Sequence, residues 1–263
     1  MVSSPVDISF LKTLPAGAAV GIVGVPPLAV MAILEKGAAT IFDLDESLVK
    51  QDMEETILYL PRVYCAILRT VVTNSLHLDL QTSIIVVGQG KCDCALHVAT
   101  ILADRLAIPV ITTRNLDATP FATPLCKTEM VLPEKMARIC KSIQTTASHG
   151  PLPACQATAG FWGVPPRDFS LLALFPATTH VYGWSRCMEN KTPADLALEN
   201  HFNPHFPTVF FAQSFCAKTA LAKHLASQHP RALFVDCDVT AGSSVRAKIQ
   251  AFLELSGVYD ASC

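Results

Sequence analysis

The chain has 263 residues, 51% of them hydrophobic and 16% charged, with a formal net charge of −2. That length suits one large domain or two small ones, and the apolar content excludes a disordered or linker-like chain. The charge offers no basic face for nucleic acid, no apolar run reaches the roughly 18 residues of a membrane span, and the first residues lack the pattern of an export signal, so a cytoplasmic protein is expected.

In chain order, the run AAVGIVG at 18–24 reads as a buried strand, stopped by Val25-Pro26-Pro27. A short helix follows over 28–36, closed by Gly37, a residue suited to helix ends. Residues 39–45 read as a second strand. Residues 46–76 read as helical, with Pro61 as an interruption and an apolar helix starting near Cys65. The run SIIVVG at 83–88 has the unbroken apolar character of a parallel-sheet strand. It enters Gln89-Gly90-Lys91-Cys92-Asp93-Cys94, a helix over 95–106 and a strand over 108–112.

Residues 116–155 are irregular and rich in proline, with one helix expected over 133–142, and read as a linker. The order of elements then repeats. A strand at 158–163 meets Val164-Pro165-Pro166, echoing Gly24 to Pro27. A short helix at 169–174, strands at 179–184 and 208–212, a helix at 217–227, a strand at 231–236 and a last helix at 245–255 complete it. The strand at 208–212 ends in Gln213-Ser214-Phe215-Cys216, which reads as an echo of Gln89 to Cys92. The expectation is an α/β fold of two similar Rossmann-like lobes with mostly parallel sheets, an internal duplication. The N-terminal lobe spans 1–115 and the C-terminal lobe 156–263.

Ligands of open α/β sheets bind beyond the carboxyl ends of the strands, where both Gln-x-x-Cys tags fall. The chain carries ten cysteines, and without an export signal disulfides are not the default. Cys65, Cys92 and Cys216 each precede or open an expected helix, a position that favours a thiolate and a negatively charged iron–sulfur cluster. Cys94 and Cys187, the latter expected at a strand end, are further candidate ligands. Cys126, Cys140, Cys155, Cys237 and Cys263 read as bystander thiols. Gln89 and Gln213 either bind a ligand or close turns. Arg186, expected in a strand-end turn, either binds an anionic substrate or is a solvated surface residue. Asp43, Asp45, Asp236 and Asp238 read as turn caps, Asp93 as a turn or proton-transfer residue, and His97 as structural or exposed. A tetrahedral zinc site is weaker, because no C-x2-C pair exists. The G-x-G-x-x-G fingerprint after a strand, the P-loop and the G-x-S-x-G elbow are all absent.

These residues resemble a known family. Tyr64-Cys65, the strand ending near Cys92-Asp93, and Ile108-Pro109-Val110 are similar to the first half of the 2-hydroxyacyl-CoA dehydratase and benzoyl-CoA reductase component family. Phe215-Cys216, the strand ending at Asp236-Cys237-Asp238, and the segment SVRAKIQAFLE at 244–254 are similar to its C-terminus. The resemblance implies two α/β lobes with a [4Fe–4S] or double-cubane cluster in the cleft between them. It implies Cys65, Cys92 and Cys216 as ligands and an ATP-hydrolysing activator protein as electron donor. It also implies a homodimer or paralogous heterodimer and a small-molecule substrate. The chain is shorter than those members, and Ala217 follows Cys216 where an Asp is common. The expected function is low-potential electron transfer in a reductase- or dehydratase-like protein. The alternatives are a non-enzymatic metal- or cofactor-binding protein or cluster carrier, and a plain α/β binding protein whose cysteines are core thiols.

Overall fold

The computed structural model describes residues 8–50, 53–118, 124–148, 150 and 152–259. Over these residues the chain divides into two compact units. The first holds residues up to 120 together with 141–147 and 191–194, and the second holds 121–140, 148–190 and 195–263. The irregular segment 116–155 is thus shared between the units.

In the first unit, β1 (Ala19–Val23) is followed by α1 (Leu28–Lys36), and then β2 (Thr40–Asp43). Pro27 stands at the N-cap of α1, where the missing N–H costs nothing. The helix stops at Gly37, whose N–H closes back on the Ile33 carbonyl. Helix α2 (Ala66–His77) leads to β3 (Thr82–Val86), then come α3 (Cys94–Arg105) and β4 (Val110–Thr113). The sheet order is β2-β1-β3-β4, and every pairing is parallel. β3 is buried along its whole length, as a central parallel strand covered on both faces must be. The helical reading of 46–76 is corrected. Among the described residues of that stretch only a 3₁₀ turn at Met53–Leu58 and α2 form, because Pro61 breaks the stretch and the preceding loop is held by a side chain. Buried Asn74 donates to the Leu44 carbonyl at 2.9 Å and the Glu46 carbonyl at 2.6 Å.

The second unit opens with α4 (Leu132–Ser142), of which the last two residues belong to the first unit. It continues through β5 (Gly160–Gly163), a 3₁₀ turn at Phe169–Leu174, and β6 (His180–Tyr182). Then come α5 (Trp184–Asn190), α6 (Leu196–Asn200), β7 (Thr208–Gln213), α7 (Lys218–Gln228), β8 (Ala232–Cys237) and α8 (Ser243–Leu255). Its sheet order is β6-β5-β7-β8, again all parallel. The two sheets therefore have the same topology, which is the duplicated α/β architecture expected.

The second unit builds its core from aromatic rings. Trp162 stacks on Phe210 at 5.9 Å and Phe161 on Phe211 at 5.8 Å. The buried Trp162 indole N–H donates to the Glu199 carbonyl at 2.9 Å, so the ring enters the core without an orphaned donor. Lys135 of α4 is fully buried, and its ammonium donates to the Thr128 and Thr179 carbonyls at 2.7 and 2.5 Å.

Candidate functional site

In both sheets the chain leaves the first strand toward one edge and returns to build the other edge. The order reverses between β1 and β3, and again between β5 and β7. Open α/β sheets bind ligands at the carboxyl ends of strands beside such a reversal. In the first unit that point is flanked by Gly24-Val25-Pro26 and the turn Gly88–Lys91. In the second it is flanked by Gly163-Val164-Pro165 and the turn Gln213–Cys216.

The first-unit site is built from four groups near the starts of two packed helices. Cys65 is the N-cap of α2 and is buried. Cys94 is the first residue of α3, Cys92 lies two residues before it, and both are half-buried. Burial, the hydrogen bond of Tyr64 with Cys94, and the neighbouring Cys94, Cys92 and Cys65 sulfurs push the Tyr64 phenol up to about 12. The phenol therefore stays protonated and available as a donor to sulfur. Asp93, at the N-cap of α3, is exposed and makes no capping bond with its side chain, and His97 is exposed on the helix.

Beside these thiols runs a buried charged network. Asp45, just past β2, accepts from the Gly24 N–H at 2.7 Å and from the Lys91 ammonium at 3.1 Å. Burial alone would lower the Lys91 ammonium, but the charge and hydrogen bonds of Asp45, then Cys92 and Asp43, outweigh it and raise it. Asp43 is fully buried and accepts from the Asp45 N–H at 3.0 Å. Burial, then the charges of Asp45 and Glu46, holds its carboxyl well above the ordinary carboxylate range. The turn-cap reading of Asp43 and Asp45 thus covers only part of their role.

The second unit places Cys216 two residues before α7, half-buried, at the end of a tight turn closed by its N–H on the Gln213 carbonyl at 3.0 Å. The first unit has the same turn, closed by the Lys91 N–H on the Gly88 carbonyl at 2.9 Å. The strand registers show how the two correspond. Val23 pairs with Ile85, and Gly163 pairs with Phe211. Aligning the two Gly-Val-Pro-Pro tags therefore sets Val86 with Phe211, Gly88 with Gln213, Gly90 with Phe215 and Lys91 with Cys216. The echo between Gln89-x-x-Cys92 and Gln213-x-x-Cys216 is thus one residue out of structural register. Cys92 corresponds to Ala217, and the equivalence read from those letters is corrected.

The third position of both turns has left-handed backbone, with φ +84° at Gly90 and +60° at Phe215. Gly90 meets that demand without strain, and a Cβ there would collide with the Pro193 carbonyl. Phe215 meets it at a cost of roughly 1–2 kcal/mol, and the residue is 57% exposed.

Two other candidates, Arg186 and Cys187, lie differently from the expectation. Arg186 and Cys187 are in α5, not in a strand-end turn, because the chain turns into helix directly after Gly183, which has φ +72°. The Arg186 guanidinium pairs with the buried Glu189 carboxylate at 2.7 Å, so its charge is held inside the fold. Cys187 is fully buried, its Sγ set toward the Asp195 carbonyl at 3.8 Å. Burial, with the charge of Glu199, pushes that thiol up to about 12. A thiol so placed is a core residue. Gln213 is buried and spends its amide on structure, accepting from the Arg167 N–H at 3.1 Å and donating to the Cys237 carbonyl at 2.7 Å. Gln89 reaches the Ala194 carbonyl at 3.4 Å from an exposed turn.

Of the bystander thiols, Cys126, Cys140 and Cys237 are buried and Cys155 is half-buried beside His180 at 3.7 Å, while Cys263 lies outside the described residues. None of the described cysteines is in a disulfide. Among the described residues no three His, Cys, Asp or Glu side chains form a ready-made metal-ion site. Cys65, Cys92, Cys94 and Cys216 are soft sulfur donors at or near helix starts.

Tyr64, Lys91 and Asp45 were not singled out as site residues from sequence. The signals were present: a tyrosine directly before Cys65, a lysine within the glycine turn, and an aspartate just past a strand end. No family model matches the chain, and no curated protein was found to be similar to it.

Proposed function

We propose that the chain is an iron–sulfur protein that passes single electrons at low potential to a small molecule. In the first unit Cys65 and Cys92 serve as thiolate ligands, with Cys94 as a further thiolate, and in the second unit Cys216 serves as one. The observation that carries this reading is the placement of Cys65 at the N-cap of α2 and of Cys94 at the first residue of α3, with Cys92 two residues before it and Tyr64 directly before Cys65. When bound, a cluster would supply the one-electron chemistry, with its potential set by burial and by hydrogen bonds to sulfur.

The residues of the chain do the rest. Tyr64 donates to the Cys94 sulfur. Lys91, anchored on Asp45, holds a positive charge near Cys92 that favours its thiolate. The thiols sit at helix starts, where the backbone dipoles favour negative charge. An ATP-hydrolysing activator and a second, similar subunit are the partners this chemistry would call for.

The test is the iron content of variants reconstituted without oxygen. Cys92→Ala is expected to lose its iron, and Cys140→Ala, which removes a buried core thiol, to keep it. Equal iron in both contradicts the ligand assignment.

A further inference from the structure

Residues Lys191–Ala194 join α5 to α6, yet they pack as part of the first unit. They lie across its strand-order reversal. On the β3 side, the Pro193 carbonyl stands where a Cβ on Gly90 would be, and Gln89 donates to the Ala194 carbonyl at 3.4 Å. On the β1 side, fully buried Asn115 donates to the Val25 and Pro26 carbonyls at 2.9 and 3.2 Å, and to the Lys191 carbonyl at 3.4 Å. The segment is therefore a strap over the place where an open α/β sheet takes its ligand. Its first residue is an awkward one to bury. Lys191 is 2% exposed, in left-handed backbone at φ +58°. Its ammonium donates to the Thr145 carbonyl. The charged group that faces it is Glu35 of α1, whose carboxylate accepts from the Thr145 hydroxyl and the Thr146 N–H, each at 2.6 Å.

We propose that Lys191–Ala194 is a lid over the ligand position of the first unit, latched by Lys191, and that it opens by carrying the buried ammonium out to water. The lid is a property of the metal-free chain and stands apart from the iron–sulfur reading. A buried ammonium is held less well than a solvated one, so the closed lid works against its own charge. Burial outweighs the Glu35 charge and lowers the Lys191 ammonium to about 8, whereas opening returns it to its ordinary 10.5. Between those values the open form binds more proton than the closed form. Opening therefore becomes up to about tenfold rarer with each pH unit in that window, and is most frequent at neutral pH and below.

The experiment cuts the metal-free chain with subtilisin from pH 7 to pH 10. The rate of cleavage within 191–194 is divided by that of a free peptide of the same sequence, which removes the pH dependence of the protease. For a lid that recloses faster than it is cut, this ratio follows the open fraction. In wild type it is expected to change little from pH 7 to pH 8 and to fall at least about tenfold from pH 8 to pH 10. Lys191→Met, which keeps the length and removes the charge, is expected to give a ratio independent of pH and at least about tenfold below wild type at pH 7. Glu35→Gln keeps an acceptor for the two threonines but removes the facing charge, and is expected to raise the ratio several-fold at pH 7. Labelling of Cys92, at the end of the covered turn, by a bulky maleimide is expected to rise by the same factor in that variant. A wild-type ratio that does not fall above pH 8 overturns the latch, whether or not Lys191→Met folds. So does a Lys191→Met chain cut as fast as wild type at pH 7. Cys92 labelling that stays at the wild-type rate in Glu35→Gln while the strap is cut faster overturns the cover.

Discussion

Asp43 lies buried at the end of β2 with two other acidic groups nearby and one ammonium to offset them. Its raised pKa has a defined consequence for stability. Between the ordinary value of 3.8 and the higher folded value, the folded chain binds more proton than the unfolded one. Stability is therefore fully supported below that window and falls as pH rises through it. Each unit of upward shift corresponds to about 1.4 kcal/mol lost by neutral pH. Asp43→Asn keeps an acceptor for the Asp45 N–H and removes the titration. It is expected to be more stable than wild type in urea melts at neutral pH, with the advantage gone near pH 3. A constant advantage across that range would contradict the assignment. Residue identity also explains one misreading. The tags were matched by their shared Gln and Cys letters, yet the turns are matched by backbone, and the Gly90 to Phe215 exchange hides that correspondence in the letters.

At the scale of elements, most of the fold was legible. Parallel-sheet strands are short unbroken apolar runs, and β1, β3 and β7 stand out for that reason. Helix α1 was legible from its proline start and its stop at Gly37. Helices α5 and α6 were not. Trp184 follows a strand with no capping residue and continues its aromatic, strand-like character, so the helix that begins there has no local start signal. Helix α6 did carry one, Asp195, whose carboxylate accepts from the Leu198 N–H at 2.9 Å. Its five residues are too few to show a helical period.

Two predictions belong to this scale. Trp162→Ala empties the stacked core of the second unit and is expected to cost about 3–5 kcal/mol in denaturant melts. Lys135→Ala leaves the Thr128 and Thr179 carbonyls without their shared donor, and is expected to cost about 2–4 kcal/mol. A loss below about 1 kcal/mol would mean that water replaces the ammonium.

At the scale of the whole molecule, two sheets of identical strand order carry their thiols differently. The first unit places Cys65, Cys92 and Cys94 at or just before the starts of α2 and α3, and the second places Cys216 just before α7 and buries Cys187 in a helix. The positions of Cys65, Cys92 and Cys216 next to helix starts were legible in the sequence, because glycine and proline punctuation marks those boundaries. The roles of Arg186, Cys187 and Gln213 were not. Whether a polar side chain faces solvent or a buried partner depends on packing across the sheet, as with Arg186 on Glu189 and Gln213 on Cys237. No helix among the described residues is long and apolar enough to cross a membrane.

The central claim is that these thiols hold an iron–sulfur cluster. It is tested most directly by iron and acid-labile sulfide per chain, with an absorption spectrum, on protein purified and reconstituted without oxygen. The account predicts about four irons and as many sulfides per chain, or about eight for a double-cubane. A chain that takes up neither would contradict it and leave an α/β binding protein whose cysteines are core thiols.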